Sequence, residues 1–291
     1  MEMLKCELCD SEVLNFTSAP YIGKCSRCGL LQNFETKPPS NLEGEEFSGY
    51  LSAQDLAFEE KRRLKVLHRL QKLLTDNRLE LSVFDIGTGS GLFLKDATQM
   101  GFSVSGNELS NSAANLVRSE YGFEIFVRDF EELGFSNCHS SVTMFCVLAH
   151  SVNPSLLVKS IQKSLRVGGI LYFHTPRFCL IDSVAISLNY LSRGRINQLL
   201  LRRVGGDHRR IYSKKSLKRL LIESGFIDFT IKSEMGYGLR KENYFSAMGF
   251  PLAISKIIAQ VLNLCSVFKL LPRNVYTVYA TKVSHNSSSG L

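Results

Sequence analysis

No apolar stretch follows the first residues, MEMLKCELCD, so the sequence predicts no secretory leader, and a reducing cytoplasmic setting is the expectation. In that setting the eight cysteines are not expected to pair as disulfides. Uncharged apolar runs long enough to span a bilayer are missing as well. The most apolar segment, from Pro251 to Leu271, is interrupted by Lys256 and Lys269; with Gln260, Asn263 and Ser266 these draw one polar stripe at helical spacing. It reads as a lid or packing helix, with peripheral contact at a membrane interface as the second choice. Internal repeats are absent, and so is low-complexity sequence apart from the tail NSSSGL. Acid is scarce in one region only: residues 161–291 hold 20 Lys and Arg against 6 Asp and Glu, whereas residues 1–60 hold 4 against 11. A charge so one-sided points to an anionic partner, whether a phosphorylated substrate, a nucleic acid or a membrane surface.

What remains is an ordinary globular composition, 44% hydrophobic over 291 residues, enough for one large core or two smaller ones. An acidic, loop-like stretch, KPPSNLEGEEFSG, separates a cysteine-bearing start from a long alternation of apolar runs and helical patterns. Leu56, Leu64, Leu67, Leu70 and Leu74 mark an amphipathic helix between Asp55 and Thr75. After it, LSVFDI, FSVSGN, EIFV, SVTMFCV and ILYFHT alternate with helices, the βαβ rhythm of a parallel, doubly wound sheet. Ser213 caps a helix that runs to Glu223; the strands FIDFTIKS and VYTVYATK close the pattern.

Cys6 and Cys9, then Cys25 and Cys28, make C-x2-C-x15-C-x2-C, the spacing of a four-thiolate zinc site. Four sulfurs leave no open position, so the metal is expected to be structural and the segment a zinc ribbon. Its net acidity argues against nucleic acid as its partner. Cys138, Cys146, Cys179 and Cys265 lie in apolar segments and read as small core residues.

The central motif is Asp85-Ile86-Gly87-Thr88-Gly89-Ser90-Gly91, at a strand-to-helix junction where glycines let the backbone approach a ligand. Its G-x-G-x-G spacing departs from the G-x-G-x-x-G of dinucleotide sites. Glu108 ends the next strand, where a carboxylate can accept both hydroxyls of a ribose.

On these residues, the region from Leu81 to Pro176 resembles the core of class I S-adenosylmethionine-dependent methyltransferases. VFDIGTGSG is similar to their first motif, and LRVGGILYFHTP to their fifth-strand signature LkpGGxlxixtP. The resemblance implies S-adenosyl-L-methionine as cofactor, held by Asp85, Gly87, Thr88, Gly89, Gly91 and Glu108, with Asp129 and the neighbouring Phe130 on the adenine side. DHRRIYSKKSLKRLLIESGF is similar to HlylFsxxsLxxllxxaGF; with the ribbon, it resembles methyltransferases of bacterial polysaccharide and natural-product sugar pathways. Tyr50 stands where related enzymes set a residue over the methionine part of the cofactor; the plainer reading is a surface tyrosine anchoring the linker. Two departures bear on activity. Such proteins read FDxVxxxxVLEH near the fourth strand, whereas here Ser140 replaces the Asp and Ala149 the Glu before His150.

The expected architecture is an α/β, doubly wound, seven-stranded and mostly parallel sheet of Rossmann-like methyltransferase type, with an N-terminal zinc ribbon and helical lid insertions. The expected divisions are a ribbon module at 1–40, a linker and amphipathic helix at 41–76, and the methyltransferase domain at 77–291, with insertions near 177–210 and 237–272. The expected reaction is methyl transfer to a small-molecule, sugar or glycan-precursor acceptor at oxygen. The competing reading is a cofactor-binding scaffold without turnover. His150 and His208 are the candidate catalytic bases, since histidine titrates near neutrality and loops converge there; His174, inside the fifth strand, is expected to matter less. The arginines and lysines from Arg193 to Arg219 read either as a solvated face or as a phosphate-facing lid for a nucleotide- or lipid-phosphate-linked sugar. RNA is disfavoured, because aromatic and basic residues do not interleave and no N/DPPY-type motif occurs.

Overall fold

The computed structural model describes residues 4–15, 21–34, 53–204, 208–236, 251–267 and 272–284. The acidic linker with Tyr50, residue Asp207, and residues 237–250 and 268–271 of the apolar insertion lie outside them, as does the side chain of Cys265.

The chain opens with three short antiparallel strands, β1 (Val13–Leu14), β2 (Ile22–Cys25) and β3 (Leu31–Asn33). Helix α1 (Ala53–Asp76) follows. Its Val66, Leu67, Leu70 and Leu74 recur every three or four residues, are buried, and pack with Val83, Phe93 and Leu94. At about 1.5 to 3 kcal/mol for each fully buried leucine, packing rather than helix propensity anchors α1.

The sheet is then built by β4 (Ser82–Ile86), α2 (Leu92–Gln99), β5 (Ser103–Asn107), α3 (Asn111–Tyr121), β6 (Ile125–Phe126), β7 (His139–Phe145), α4 (Pro154–Ser164) and β8 (Leu165–Pro176). Ser110 caps α3 by accepting from Ala113 N–H, and Asn153 caps α4 by accepting from Leu156 N–H. Helices α5 (Leu180–Leu191) and α6 (Gln198–Arg203) precede a two-residue strand, β9 (Arg210–Ile211). After it come α7 (Lys214–Glu223), β10 (Asp228–Glu234), α8 (Leu252–Val267) and β11 (Val275–Thr281). The main sheet has the order β10-β11-β8-β7-β4-β5-β6. Its central strands are parallel, and β11 is antiparallel to both β8 and β10. Phe84, Ile86, Val142 and Met144 are all buried, as expected where helices cover both faces of a parallel sheet.

Strand β9 does not join that sheet. It pairs with β3, Leu31 opposite Ile211, and so gives the cysteine-bearing segment a fourth strand from far along the chain. Around it the two parts share one core, in which Cys6, Leu8 and Leu30 cluster with Tyr212, Leu217 and Leu220. Ser213 caps α7 and also donates its hydroxyl to the Cys28 carbonyl at 2.5 Å.

Arg210 lies at this junction and is 1% exposed. Its Nε donates to Glu7 Oε2 at 2.6 Å, and its terminal nitrogens donate to Glu7 and to the Ser151 and Val152 carbonyls. The phosphate-facing role considered for the basic row therefore does not extend to Arg210. Arg203 is likewise occupied by Asp182 at 2.7 Å, and Arg219 by the Leu8 carbonyl and Glu223. Arg193, Arg195, Lys214, Lys215 and Lys218 are exposed, the solvated-face alternative. No described helix is long and apolar enough to cross a membrane.

Arg210→Ala leaves Glu7 and two carbonyls without their donor and is expected to lower unfolding stability by about 3 kcal/mol. Glu7→Gln, whose side chain is 32% exposed, is expected to cost less. Urea unfolding of both variants measures the difference.

Candidate active site

The ends of β4, β5, β6, β7 and β8 that bear their carboxyl termini form one edge of the sheet, where ligands bind in open α/β folds. Gly87, Gly89 and Gly91 follow β4, all with positive φ (70°, 52° and 73°). A Cβ on Gly87 would approach Val147 Cγ2 to 2.7 Å, whereas a Cβ on Gly89 would meet no atom within 4 Å. The loop thus packs tightly beneath and is open above. Between these glycines, Thr88 Oγ1 is buried with no hydrogen-bond partner among the described residues.

Glu108 leaves the end of β5 and turns back over this loop. Gly89 N–H donates to its Oε2 at 2.9 Å and Ser110 N–H to its Oε1 at 3.0 Å. Asp85 is 2% exposed and accepts from Thr143 Oγ1 at 2.5 Å. Burial, with the Glu108 charge adding to it, holds the Asp85 carboxyl well above the usual carboxylate range. Asp129 is exposed after β6, and its side chain caps no helix. Phe130 turns inward: it is 3% exposed and packs edge-on against Phe84 at 5.3 Å, so its ring belongs to the core and only Asp129 is presented to solvent.

Beside the loop, β7 runs into Cys146, which takes a left-handed conformation at φ 66°, and then through a short turn to His150. Cys146 Sγ lies 3.3 Å from His208 Nε2. The rings of His150 and His208 are 4.8 Å apart. Two backbone bonds hold the His208 side in register: Arg209 N–H donates to the Ala149 carbonyl, and Asn33 N–H to the Arg209 carbonyl, both at 2.9 Å. The two candidate histidines are therefore brought together. Burial first, then His150 and Arg203, pushes His208 down to about 3. His174, at the end of β8, is held well below its ordinary value by burial and Arg62, whose guanidinium reaches its ring at 2.7–2.8 Å. Burial pushes the Cys146 thiol up to about 11.

Sequence reasoning missed two members of this group. Cys146 was expected in the core and is instead half-buried beside the histidines. Arg62 belongs to the polar face of α1, which the helical pattern assigns to solvent. His174, expected to matter less, touches both Arg62 and the ring of Phe145. Ser140 and Ala149, the two departures, are wholly buried, and Ser140 Oγ has no partner among the described residues.

Across the β9 junction, Cys6 and Cys28 sulfurs are 3.6 Å apart and those of Cys9 and Cys25 3.4 Å, all four within 4.8 Å of one another. Four sulfurs around one tetrahedral zinc are roughly 3.8 Å apart, so the donor set fits that ion. Cys28 N–H donates to Cys25 Sγ at 3.3 Å, tightening the second knuckle.

Because burial favours the protonated Asp85, its folded-state pKa exceeds the unfolded one. Its contribution to stability is present below the unfolded carboxylate value and is lost as pH rises from there through the raised folded value. Asp85→Asn keeps an acceptor for Thr143 and is expected to raise the melting temperature at pH 8 by about 2–4 °C. The gain should vanish near pH 4, as thermal melts across that range would show.

Residues 58–228, more than half of the chain, match the family described as a methyltransferase domain. The ubiquinone biosynthesis O-methyltransferase of Proteus mirabilis is 23% identical over 175 residues, which cover 53% of this chain and 71% of that protein. A Galdieria sulphuraria protein assigned as a sarcosine dimethylglycine methyltransferase superposes with a TM-score of 0.53 at 12% identity, covering 76% of this chain and 86% of the other. A protein assigned as a methyltransferase, in complex with a methyltransferase activator from Haloferax volcanii, superposes at 0.50 with 14% identity, covering 80% and 98%. At such identities the two structures share the fold and no more is drawn from them. The chain belongs to the methyltransferase-domain family and is an S-adenosylmethionine-dependent methyltransferase.

Proposed function

We propose that the enzyme methylates an oxygen of a small-molecule, sugar or glycan-precursor acceptor. In this reading, residues 1–40 form the zinc ribbon and residues 77–291 the transferase domain. The observation that carries the cofactor assignment is the glycine loop lying under a carboxylate: Gly87, Gly89 and Gly91 with Glu108 fixed above them by two N–H groups. The open face of Gly89 and the unpartnered Thr88 hydroxyl fit a polar ligand laid along the loop. Glu108 accepts the ribose hydroxyls, Asp129 meets the adenine edge with Phe130 supporting it from the core, and Asp85 lines the cofactor side of the sheet at the end of β4. When bound, S-adenosylmethionine supplies a methyl group already activated on a sulfonium.

The chain's own part is to orient the acceptor and to have one proton removed from its oxygen. Of the two candidate bases, His150 is assigned to that proton and His208, which burial keeps neutral, to the position beside it, the rings 4.8 Å apart. They border the glycine loop, since Val147 of their turn touches Gly87. An anionic acceptor is favoured by Arg209, whose Nε is buried with no hydrogen-bond partner among the described residues. Cys6, Cys9, Cys25 and Cys28 hold a structural zinc, which their mutual distances suit.

Glu108→Ala is expected to weaken S-adenosylmethionine binding by about 1.5–3 kcal/mol, the loss of a charge-assisted hydrogen bond. Calorimetric titration tests it; equal affinity in both proteins rejects the assignment. Replacing His150 and His208 together with alanine is expected to lower kcat by roughly 10²–10⁴ while leaving cofactor affinity within about a factor of two. Transfer of labelled methyl to a panel of phosphorylated and neutral sugar acceptors provides the readout.

A further inference from the structure

Outside the four-cysteine cluster, the described residues hold a second group of metal-type donors. One ligand atom each from Cys146, His150 and His208 lies within 4.8 Å of the other two. The Cys146–His208 separation is 3.3 Å. Around one tetrahedral dication, a thiolate at about 2.3 Å and imidazoles at about 2.0–2.1 Å stand roughly 3.4–3.6 Å from one another, so small side-chain shifts bring all three donors onto one ion.

The backbone is arranged for the same end. Cys146 has a Cβ yet occupies the left-handed region at φ 66°, a conformation unfavourable for such a residue that persists where surroundings impose it. Here Cys146 N–H donates to the His174 carbonyl at 3.1 Å and its own carbonyl accepts from Ala149 N–H at 3.2 Å. All three donors are half-buried, which leaves solvent a route for an arriving ion. Arg62 and Arg203 act on Cys146, but each has a carboxylate of its own, Glu59 at 3.3 Å and Asp182 at 2.7 Å. Binding releases the thiol proton to solvent, so a dication and one thiolate leave a net charge of +1.

We propose that Cys146, His150 and His208 bind a second zinc-type dication through three protein ligands, with the fourth position open to an acceptor oxygen. One thiolate with two imidazoles selects a borderline-soft ion such as zinc or cobalt over magnesium or calcium. Three protein ligands with one open position is the pattern of sites where zinc lowers the pKa of a bound oxygen. The placement of an acceptor there rests on the function proposed above and replaces its base step: with the ion bound, the two histidines act through it rather than as bases, the ion loosens the acceptor's proton, and water carries the proton away. The oxygen–methyl bond then forms as the sulfur–methyl bond breaks, and the bonding pair stays on a sulfur that leaves as a neutral thioether.

Elemental analysis of the full chain, saturated with zinc and dialysed free of excess, is expected to give two zinc ions per chain. Cys146→Ala with His208→Ala should give one, with S-adenosylmethionine affinity unchanged. In the cobalt-loaded protein, Cys146→Ala should lower the sulfur-to-cobalt charge-transfer absorption by about one fifth, five thiolate ligands becoming four. Cys146→His, which makes a three-histidine set, should restore the second equivalent. A single zinc in the wild type, or a cobalt spectrum indifferent to Cys146, overturns the site. Loss of the second zinc with methyl transfer undiminished overturns its place at the acceptor while the site stands, and failure of the wild type to bind S-adenosylmethionine strikes the cofactor assignment instead.

Discussion

Arg210 inserts its guanidinium between the cysteine-bearing segment and the turn after β7, and there it bonds Glu7 on one side and the Ser151 and Val152 carbonyls on the other. A charge 1% exposed is tolerable only when every face of it is satisfied, and three acceptors at fixed positions do so. The same short stretch carries His208 before it, pairs β9 with β3, and aligns Tyr212 so that its hydroxyl donates to the Leu148 carbonyl at 3.1 Å. The position of His208 against His150 therefore depends on contacts that the cysteine-bearing segment supplies, and that segment fixes one wall of the site.

The opposite wall is set by a different constraint. Two acids, Asp85 and Glu108, sit close enough at the sheet edge to repel, and the fold treats them differently. Asp85 is driven toward its neutral form inside the protein, while Glu108 accepts two backbone N–H groups and lies half-buried over the loop. The two carboxyls therefore face the glycine loop in different settings, one buried beneath it and one held over it.

The parts of this arrangement that were legible in the sequence are local. The glycine loop, the Ser213 cap, the paired cysteines and the leucine stripe of α1 each follow from residues within a turn or two of one another; of the stripe, Leu67, Leu70 and Leu74 are buried as read, Leu64 is half-buried, and the side chain of Leu56 lies outside the described residues. The seven-stranded sheet followed from the alternation of apolar runs with helices. Cys146, Arg62, Phe130 and Arg210 were not legible, because their surroundings are made by partners far along the chain: Cys146 by a residue 62 positions away, Arg62 by one 112 away, and Arg210 by one 203 away. An arginine in a basic run looks the same in sequence whether it faces water or closes a core. Phe130 beside Asp129 looks like an exposed aromatic until Phe84 and Phe135 are seen around it.

Strand β9 has a consequence for the order of assembly. Strands β1 to β3 and the four paired cysteines lie within the first 33 residues, but the edge strand that completes their sheet arrives only with residues 210 and 211. Contacts that distant in sequence form late, because closing a long loop is entropically unfavourable until other contacts have shortened it. A nascent chain would thus expose the β3 edge while the central sheet is still being made, open to mispairing with other strands. Metal capture by the cysteines would be the early event that holds that edge in shape until its own strand reaches it.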